Sequence, residues 1–458
     1  MLPRAKEANV IHTFRFHDLN IVLDVESGAL HLIDADAFAV LSALERGDDP
    51  YACAGLARGE VEEILNEFAA LRDQGLIDTP EQEAPAVAGG SVIKSLCLHV
   101  AHDCNLRCKY CFAATGEFHG ARMLMPASVG RATIDFLMAH SGARRHLEVD
   151  LFGGEPLMNF GVCREIVAYG REQEARFGKR INFTMTTNCV ALDDEKIDFL
   201  NREMHNIVIS LDGRREVHDA LRPTAAGGGS YDIILNKAKR LVSRRGDGEH
   251  YIRGTFTRNN LDFTEDVKSL LDEGFRQLSL EPVVLPDESP YSIREEHLPR
   301  VFAEYDRLAD YYLQQRSGGR WFNFFHFMVD LTGGPCLRKR LSGCGAGTEY
   351  AAVSPEGDLY PCHQFVGLPE WKLGNVCGGT VDAEKQAAFA GCNVRTKPAC
   401  RACWAKYYCS GGCAANAYLY NGDIHKPYEL GCRMLRKRTE CAIGIALTER
   451  AARKADAP

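Results

Sequence analysis

The distribution of cysteine constrains this chain more than any other feature of its sequence. The chain has 458 residues and 18 cysteines, of which three lie within residues 104–111 and eleven within residues 336–441. This is about 4% cysteine, below the ~8–10% that marks a disulfide scaffold. The N-terminal residues lack a signal-peptide core, so we expect a reducing, cytoplasmic compartment in which grouped thiolates bind metal.

Charge and composition exclude two other classes of protein. The 54 basic and 62 acidic residues give a formal net charge of −8, which leaves no basic excess for contacts with nucleic-acid phosphates. No apolar run approaches the roughly 20 residues of a membrane span. We therefore expect a globular protein with neither a nucleic-acid partner nor a membrane partner.

The first 78 residues form a small α+β module in this interpretation. Residues 11–33 contain short β-favouring runs separated by HDLN and ESG, which predicts a three-stranded meander. Two amphipathic helical patterns follow, and the second is closed by Gly75. Residues 79–91, rich in Pro, Ala and Gly, are predicted to be a linker.

Strand and helix patterns alternate through six units over residues 92–330. This rhythm predicts an α/β fold with parallel strands, a partial (β/α)6 barrel related to the TIM barrel. Residues 331–458 lose the rhythm and are rich in Gly, Pro and Cys. We expect metal, more than a large apolar core, to stabilise this last part.

The segment HDCNLRCKYCF follows the first predicted barrel strand and spaces Cys104, Cys108 and Cys111 as C-x₃-C-x₂-C. Three thiolates can hold three irons of a cubane, whereas four cysteines are the norm for such clusters. The fourth iron then has no protein ligand and can bind a small molecule. A catalytic zinc keeps one coordination position open in the same way. A zinc loop with a fourth ligand elsewhere is the alternative. The location favours catalysis, since barrel active sites lie at the C-terminal ends of strands.

This motif, with Tyr110 before its last cysteine, resembles that of the radical S-adenosylmethionine enzymes. The resemblance implies a [4Fe–4S] cluster whose open iron chelates S-adenosylmethionine and whose reduction generates a 5′-deoxyadenosyl radical. Further cofactor contacts follow from matching motifs. FGGEP implies contacts to the methionine amino group, TMTTN and ISLDG imply contacts to ribose and methionine, and one arginine is expected to reach the carboxylate: Gly153, Gly154, Glu155, Pro156, Asn188, Ser210, Asp212 and Arg222. From the residues alone, structural roles remain open for the same positions. FGGEP could be a strand-to-helix turn, Asn188 and Ser210 polar strand ends, Asp212 a helix cap and Arg222 a surface charge.

The later cysteines resemble the seven-cysteine SPASM extension of radical enzymes that modify peptides. A zinc ribbon is the alternative, but seven ligands are too many for one zinc. The resemblance implies two auxiliary [4Fe–4S] clusters, hence three in all. One would be held by Cys400, Cys403, Cys409 and Cys432, and the other by Cys344, Cys362 and Cys413 with Cys336 or a substrate thiolate as its fourth ligand. Most remaining cysteines are expected to pack as small apolar residues, namely Cys53, Cys97, Cys163, Cys189, Cys377, Cys392 and Cys441.

One position departs from the sulfatase-maturing relatives. Where they carry an aspartate directly after the cysteine of the G-x₄-C element, this chain has His363. A neutral imidazole could act as a catalytic base, or it could donate to a cluster sulfur. The departure weighs against sulfatase maturation.

The N-terminal module resembles the winged-helix-like element that recognises precursors of ribosomally made, modified peptides (RiPPs). Such a module pairs a leader peptide with an exposed strand edge, and residues 19–33 are the expected edge. A DNA-binding winged helix is the alternative, but the acidic sequence DADAFAVLSALERGDDP argues against it.

Taken over nearly its whole length, the chain resembles the SCIFF maturases. That resemblance implies thioether bonds from precursor cysteine sulfurs to carbons of downstream residues, typically threonine, with flavodoxin or ferredoxin as electron donor. Other modifications remain open: sulfatase maturation, epimerisation and carbon–carbon crosslinking. A non-catalytic electron-transfer or zinc scaffold is the alternative from a different class.

Overall fold

The computed structural model describes residues 11–53, 55–81, 92–331 and 337–455. The first part is an antiparallel meander followed by two helices, as predicted: β1 (Ile11–Phe16), β2 (Leu19–Asp24), β3 (Leu30–Ile33), α1 (Ala35–Arg46) and α2 (Arg58–Asp73). Asp34 caps α1 by accepting a hydrogen bond from the Ala37 N–H, and Gly47 ends it in the left-handed conformation. Most of the predicted linker lies outside the described residues.

The middle of the chain alternates strands and helices. Its strands are β4 (Ser95–His102), β5 (Met123–Leu124), β6 (His146–Gly153), β7 (Arg180–Thr187), β8 (Asn206–Ser210), β9 (His250–Phe256), β10 (Gln277–Pro282) and β11 (Asn323–Phe324). The helices are α3 (Ala127–His140), α4 (Phe160–Phe177), α5 (Asp194–Glu203), α6 (Arg215–Leu221), α7 (Tyr231–Arg245), α8 (Phe263–Asp272) and α9 (Leu298–Ser317). Strands β4 and β6–β10 are parallel neighbours in chain order, which confirms the partial (β/α)6 architecture.

The barrel is open, and the last part of the chain continues its sheet. Strand β12 (Tyr350–Val353) pairs in parallel with β4, and the sheet extends through β13 (Asp358–Tyr360), β14 (Gly374–Asn375) and β15 (Thr380–Val381). At the other edge the short β11 pairs with β10. Among the described strands the two edges do not meet. The cysteine-rich part is therefore joined to the barrel by backbone hydrogen bonds as well as by side chains.

The remaining helices cover the cysteine-rich part: α10 (Leu337–Ser342), α11 (Ala383–Ala390), α12 (Pro398–Arg401), α13 (Lys406–Cys409), α14 (Ala414–Asn421) and α15 (Glu429–Ala455). Helix α15 packs against both α9 and β1. A Cβ at Gly444 would lie 2.1 Å from the Phe16 ring, so glycine is what allows this close contact. None of the helices in the described ranges is long and apolar enough to span a membrane.

Two charged contacts fix the N-terminal module to the cysteine-rich part. Glu26, in the β2–β3 turn, lies 2.5 Å from Lys406, with side chains only 6% and 4% exposed, and accepts a hydrogen bond of 2.7 Å from the Tyr407 hydroxyl. His12 stacks on Trp404 at 4.0 Å, and its ring nitrogens lie 2.8 Å from Glu45 and 3.1 Å from Glu440. Burial lowers the pKa of His12, but the two carboxylates outweigh it and raise the pKa above its usual value.

The buried pair gives a stability prediction. Glu26→Gln leaves the Lys406 ammonium buried without its counter-charge, and removing one partner of such a pair costs about 3–5 kcal/mol. We expect the thermal unfolding midpoint of the iron-loaded protein, measured anaerobically by scanning fluorimetry, to fall by several degrees. The matched control is Glu62→Gln, which removes the exposed partner of Arg58 and should leave the midpoint nearly unchanged. Equal midpoints for both variants would contradict this account of the docking.

Candidate active site

A cavity of about 280 Å³ opens at the carboxyl ends of the parallel strands, and we call it the strand-end cavity. All three cysteines of the first motif line it. Seven of the nine residues predicted to contact the cofactor line it too: Tyr110, Gly153, Gly154, Glu155, Asn188, Ser210 and Arg222. Pro156 and Asp212 do not line it. The sequence motifs, which are dispersed over more than 100 residues, therefore meet in one place.

The cysteine loop is held by backbone hydrogen bonds on one side. The Arg107 N–H donates to the Pro223 carbonyl at 2.8 Å, and the Lys109 N–H donates to the Leu221 carbonyl at 2.8 Å. These acceptors flank Arg222. The loop and the predicted carboxylate-binding arginine are therefore positioned by the same short segment.

Two glycines hold the loop on its other side. At Gly153, where φ is +127°, a Cβ would lie 2.3 Å from the Ala101 carbonyl oxygen. At Gly154 a Cβ would lie 2.2 Å from the Asp103 carbonyl oxygen. Only glycine lets the end of β6 approach the residues just before Cys104 so closely. This contact explains why the GG pair follows the second strand.

Asp212 joins Tyr110 and Arg222 in a buried network. The Tyr110 hydroxyl donates to Asp212 Oδ2 at 2.6 Å, and Arg222 Nε donates to the same oxygen at 2.9 Å. The other oxygen, Oδ1, accepts from the Thr255 N–H at 3.0 Å. Asp212, predicted as a direct cofactor contact, thus lies behind Arg222 and orients it, while Arg222 Nη1 lies 4.0 Å from Cys108 Sγ.

Glu155 and Asn188 are tied to each other and to the cysteine loop. The Glu155 carboxylate accepts from the Thr187 hydroxyl at 2.8 Å, the Asn188 N–H at 2.8 Å and the Leu157 N–H at 3.1 Å. Burial raises the pKa of Glu155 to about 7, against the lowering effect of these donors. The Asn188 amide donates to Asn105 Oδ1 at 2.8 Å and to Cys104 Sγ at 3.6 Å.

His363 lines the strand-end cavity close to Phe152, the residue before the GG pair. Its Nδ1 is 3.2 Å from the Tyr350 hydroxyl, and its ring packs against Phe112 and Phe152. Burial lowers the pKa of His363 to about 4. The imidazole is therefore neutral near pH 7 and has a lone pair available for a proton or a hydrogen bond.

The donor set of the first motif fits an iron–sulfur cluster. Burial raises the pKa of Cys104 to about 12 and that of Cys108 to about 11, so these thiols need a bound cation to ionise. Within the described ranges, no group of three or more His, Cys, Asp or Glu side chains could hold a single metal ion. The three thiols instead line one cavity, and this separation suits a cubane because each cysteine binds a different iron.

The later cysteines also assemble. Four line one small cavity of about 30 Å³, and they are the four assigned together from the resemblance: Cys400, Cys403, Cys409 and Cys432. The other three, Cys344, Cys362 and Cys413, also lie close together. Burial raises the pKa of Cys362, and the nearby Cys413 and Cys344 thiols raise it further. Cys336 lies outside the described residues.

A second cavity of about 280 Å³, which we call the rear cavity, has Cys409, Cys413 and Cys432 in its wall. Residues at the end of β10 separate it from the strand-end cavity. Glu281, Pro282, Val284 and Asn416 line both cavities. The first cysteine motif and the later cysteines therefore face a common wall.

The other cysteines mostly behave as predicted. Cys97, Cys163, Cys189 and Cys441 are buried, whereas Cys53 and Cys392 are half-buried. The prediction is wrong for Cys377, which is exposed in the turn after β14. That turn is held by the Asn375 side chain, which accepts from the Cys377 N–H at 2.9 Å, so the thiol itself has no packing role.

Several cavity residues were not predicted from the sequence. They are Arg253, Thr255, Glu281, Gln364 and Asn416. The available signal was strand alternation. In YIRGTFT and QLSLEPV the apolar residues alternate with polar ones near the strand ends, and alternate residues of a strand face opposite sides of a sheet.

Comparison with known proteins agrees with this geometry. Residues 98–289 match the radical SAM superfamily, and this part of the chain is a radical SAM domain. A cysteine-type anaerobic sulfatase-maturating enzyme of Clostridium novyi (strain NT) is 25% identical over 337 residues, covering 69% of this chain and 86% of the relative.

Two solved structures share the fold. anSMEcpe with bound AdoMet has a TM-score of 0.66 at 20% identity and covers 78% of this chain and 95% of its own. Streptococcus suis SuiB bound to precursor peptide SuiA has a TM-score of 0.54 at 16% identity and covers 93% of this chain and 99% of its own. Both likenesses in fold extend beyond residues 98–289, and the one to SuiB covers more of the chain.

The glycine contact gives a prediction for the site. In Gly154→Ala the new methyl group would meet the Asp103 carbonyl, and the backbone must move at the start of the cysteine loop. We expect the reconstituted variant to bind less iron and to lose at least about tenfold in S-adenosylmethionine cleavage, since small misplacements of reacting groups are costly. Gly161→Ala, where a Cβ meets nothing within 4 Å, is the control. Full activity in Gly154→Ala would show that the contact is unimportant.

Proposed function

We propose that this protein is a radical SAM maturase that forms thioether bonds in a ribosomally made, cysteine-rich precursor peptide. The observation that supports it most is the common wall between the strand-end cavity and the rear cavity. A peptide lying against this wall would present one residue to the first cysteine motif and another to the later cysteines. Thioether formation needs a carbon and a sulfur of one peptide to be held in this way.

The groups that the site would bind are three [4Fe–4S] clusters and S-adenosylmethionine. The first cluster would be held by Cys104, Cys108 and Cys111, and the auxiliary clusters by the two later groups of cysteines. When bound, these groups supply a 5′-deoxyadenosyl radical and accept the electron that remains after the carbon–sulfur bond forms. Flavodoxin or ferredoxin is the proposed electron donor.

The chain's own residues would bind and orient the reactants. Arg222, neutralised in part by Asp212, would receive the carboxylate of S-adenosylmethionine at a charge-assisted contact. The GG pair would bring backbone close to the methionine part. His363, in the wall of the strand-end cavity, would accept the proton released as the carbon–sulfur bond forms. The net change in the peptide is the loss of one C–H and one S–H bond and the gain of one C–S bond.

The module of residues 1–78 would hold the leader of the precursor. Among the described strands, β3 pairs only with β2, so its other side offers backbone donors and acceptors to an added strand. The opposite strand, β1, is packed against α15. This leaves β3 as the edge for β-augmentation, and Leu32, 54% exposed, as an apolar contact beside it. Residues 79–91 would link this module to the barrel of residues 92–330, and residues 331–458 would form the SPASM part.

Anaerobic sulfatase maturation is the second candidate. A sulfatase-maturating enzyme of Clostridium novyi is among the sequence relatives and covers 69% of this chain. His363 at the position after Cys362, and the N-terminal module, favour the precursor peptide instead. Epimerisation and carbon–carbon crosslinking would use the same radical and differ in the bond formed.

Mass spectrometry tests the proposed reaction. A cysteine-rich peptide encoded beside the gene is incubated anaerobically with reconstituted enzyme, reductant and S-adenosylmethionine, then reduced and alkylated. We expect a loss of two hydrogen atoms per crosslink, one unalkylated cysteine and a fragment that locates its sulfur on a non-cysteine residue. Enzyme with Cys104, Cys108 and Cys111 changed to serine is the control and should give unmodified peptide. Unmodified peptide with abundant 5′-deoxyadenosine from the wild type would refute the substrate, and no S-adenosylmethionine cleavage would indicate a non-catalytic scaffold.

Leader docking has its own test. Leu32→Asp places a charge on β3 and removes an exposed apolar side chain from its edge. Because one apolar contact with the leader is lost, we expect the Kd of a fluorescent leader peptide, measured by anisotropy, to rise about tenfold or more. Peptide-independent cleavage of S-adenosylmethionine should not change. Ile233→Asp, on the outer face of the barrel and 42% exposed, is the matched control. If both variants bind the leader equally well, the leader binds elsewhere.

A further inference from the structure

Arg253 and Glu281 form an ion pair on the inner side of the open barrel. Neither residue belongs to the apolar core. Arg253 on β9 donates from Nη2 to Glu281 Oε2 on β10 at 2.6 Å. Their neighbours Ile252, Phe256, Leu278 and Leu280 are buried in the apolar core. Because successive residues of a strand alternate between its faces, Arg253 and Glu281 point to the inner side. Barrel interiors are normally filled by branched apolar residues, so an inner charged pair requires another explanation.

The pair is accessible from the strand-end cavity. Both side chains line that cavity together with the first cysteine motif, and they are 47% and 39% exposed. Glu281 also lines the rear cavity that contains Cys409, Cys413 and Cys432. The pair therefore stands at the common wall, where a molecule in either cavity can touch it.

The surroundings keep Glu281 ionised and leave hydrogen-bonding capacity free. Burial would raise its pKa, but the neighbouring Arg253 guanidinium outweighs burial and lowers the pKa. His326 Nε2 lies 3.8 Å from Glu281 and 3.1 Å from the Ser279 hydroxyl. A guanidinium has five N–H donors and a carboxylate has about four acceptor positions, so one mutual hydrogen bond leaves most of them available.

A neighbouring amide adds a second acceptor. Asn416, at the same common wall, has a buried Oδ1 with no hydrogen-bond partner among the described residues. Buried polar atoms in native proteins are nearly always paired, and an unpaired one indicates a missing partner. Because Asn416 lines both cavities, as Glu281 does, a partner for this oxygen can enter from them.

We propose that Arg253 and Glu281 clamp the backbone of the precursor peptide at the common wall. Arg253 would donate to a peptide carbonyl, Glu281 would accept from a peptide N–H, and Asn416 Oδ1 would accept from a further N–H. A peptide offers one donor and one acceptor per residue whatever its side chains, so such a clamp fixes position without fixing sequence. It would hold the residue that loses hydrogen in reach of the strand-end cavity while the precursor cysteine reaches the rear cavity. This inference rests on the proposed peptide substrate.

The variants Glu281→Gln and Arg253→Met test the clamp in the reconstituted holoenzyme. Glu281→Gln keeps the shape of the side chain and removes its charge, and Arg253→Met keeps its apolar stem and removes the donors. For each variant the modified peptide formed per 5′-deoxyadenosine is compared with the wild type, together with 5′-deoxyadenosine formation without peptide. Glu273→Gln, which removes the exposed partner of Lys239 on the outside of the barrel, is the matched control.

We expect peptide modified per 5′-deoxyadenosine to fall about ten- to hundredfold in both variants, the usual effect of losing a hydrogen bond to a charged group. In Glu273→Gln both measurements should stay within about twofold of the wild type, and the ratio separates a loss of peptide positioning from a loss of S-adenosylmethionine cleavage. An unchanged ratio, or an equal loss in both measurements, would overturn the clamp. A wild-type enzyme that makes 5′-deoxyadenosine but modifies no peptide would instead refute the proposed function.

Discussion

The loop from Cys104 to Cys111 is held by its backbone on two sides, and the site depends on that constraint. The segment around Arg222 accepts hydrogen bonds from Arg107 and Lys109, and the end of β6 presses against Ala101 and Asp103 through two glycines. Backbone contacts of this kind do not depend on side-chain rotamers. They place three half-buried thiols at the carboxyl end of the sheet, which lowers the conformational cost of holding the loop around a cluster.

Two buried ion pairs extend this rigidity outward. Asp212 fixes Arg222 and Tyr110 behind the cysteine loop. Glu26 fixes Lys406, which lies between the second and third cysteines of the C-x₂-C-x₅ segment. Through the second pair the turn of the N-terminal meander packs against a cysteine-rich loop. The β3 edge and the rear cavity therefore belong to one packed unit. A leader bound at that edge would lie at a fixed distance from the strand-end cavity.

The sequence predicted what local patterns encode. Alternating strands and helices, the turn-bounded meander and the cysteine spacings all reside in short windows, and the structure confirms the first two. It could not predict that β12 would pair with β4, because parallel pairing over more than 200 residues leaves no local signal. Nor could it separate Asp212 from Ser210, since β8 ends at Ser210, Asp212 follows two residues later, and only the network with Tyr110 and Arg222 draws Asp212 inward. Arg253 and Glu281 were not predicted, because a charged residue in a strand is normally assigned to the solvent-exposed face of the sheet. Only the structure shows that these two residues line the strand-end cavity.

X-ray diffraction from the reconstituted protein at the iron absorption edge would locate its metal ions. We expect three separate anomalous peaks in one chain, one beside Cys104, Cys108 and Cys111, one beside Cys400, Cys403, Cys409 and Cys432, and one beside Cys344, Cys362 and Cys413. Peaks that appear only at the zinc edge would refute the three-cluster assignment. Iron at the first motif alone would refute it as well. The later cysteines on the other side of the common wall would then hold no cluster.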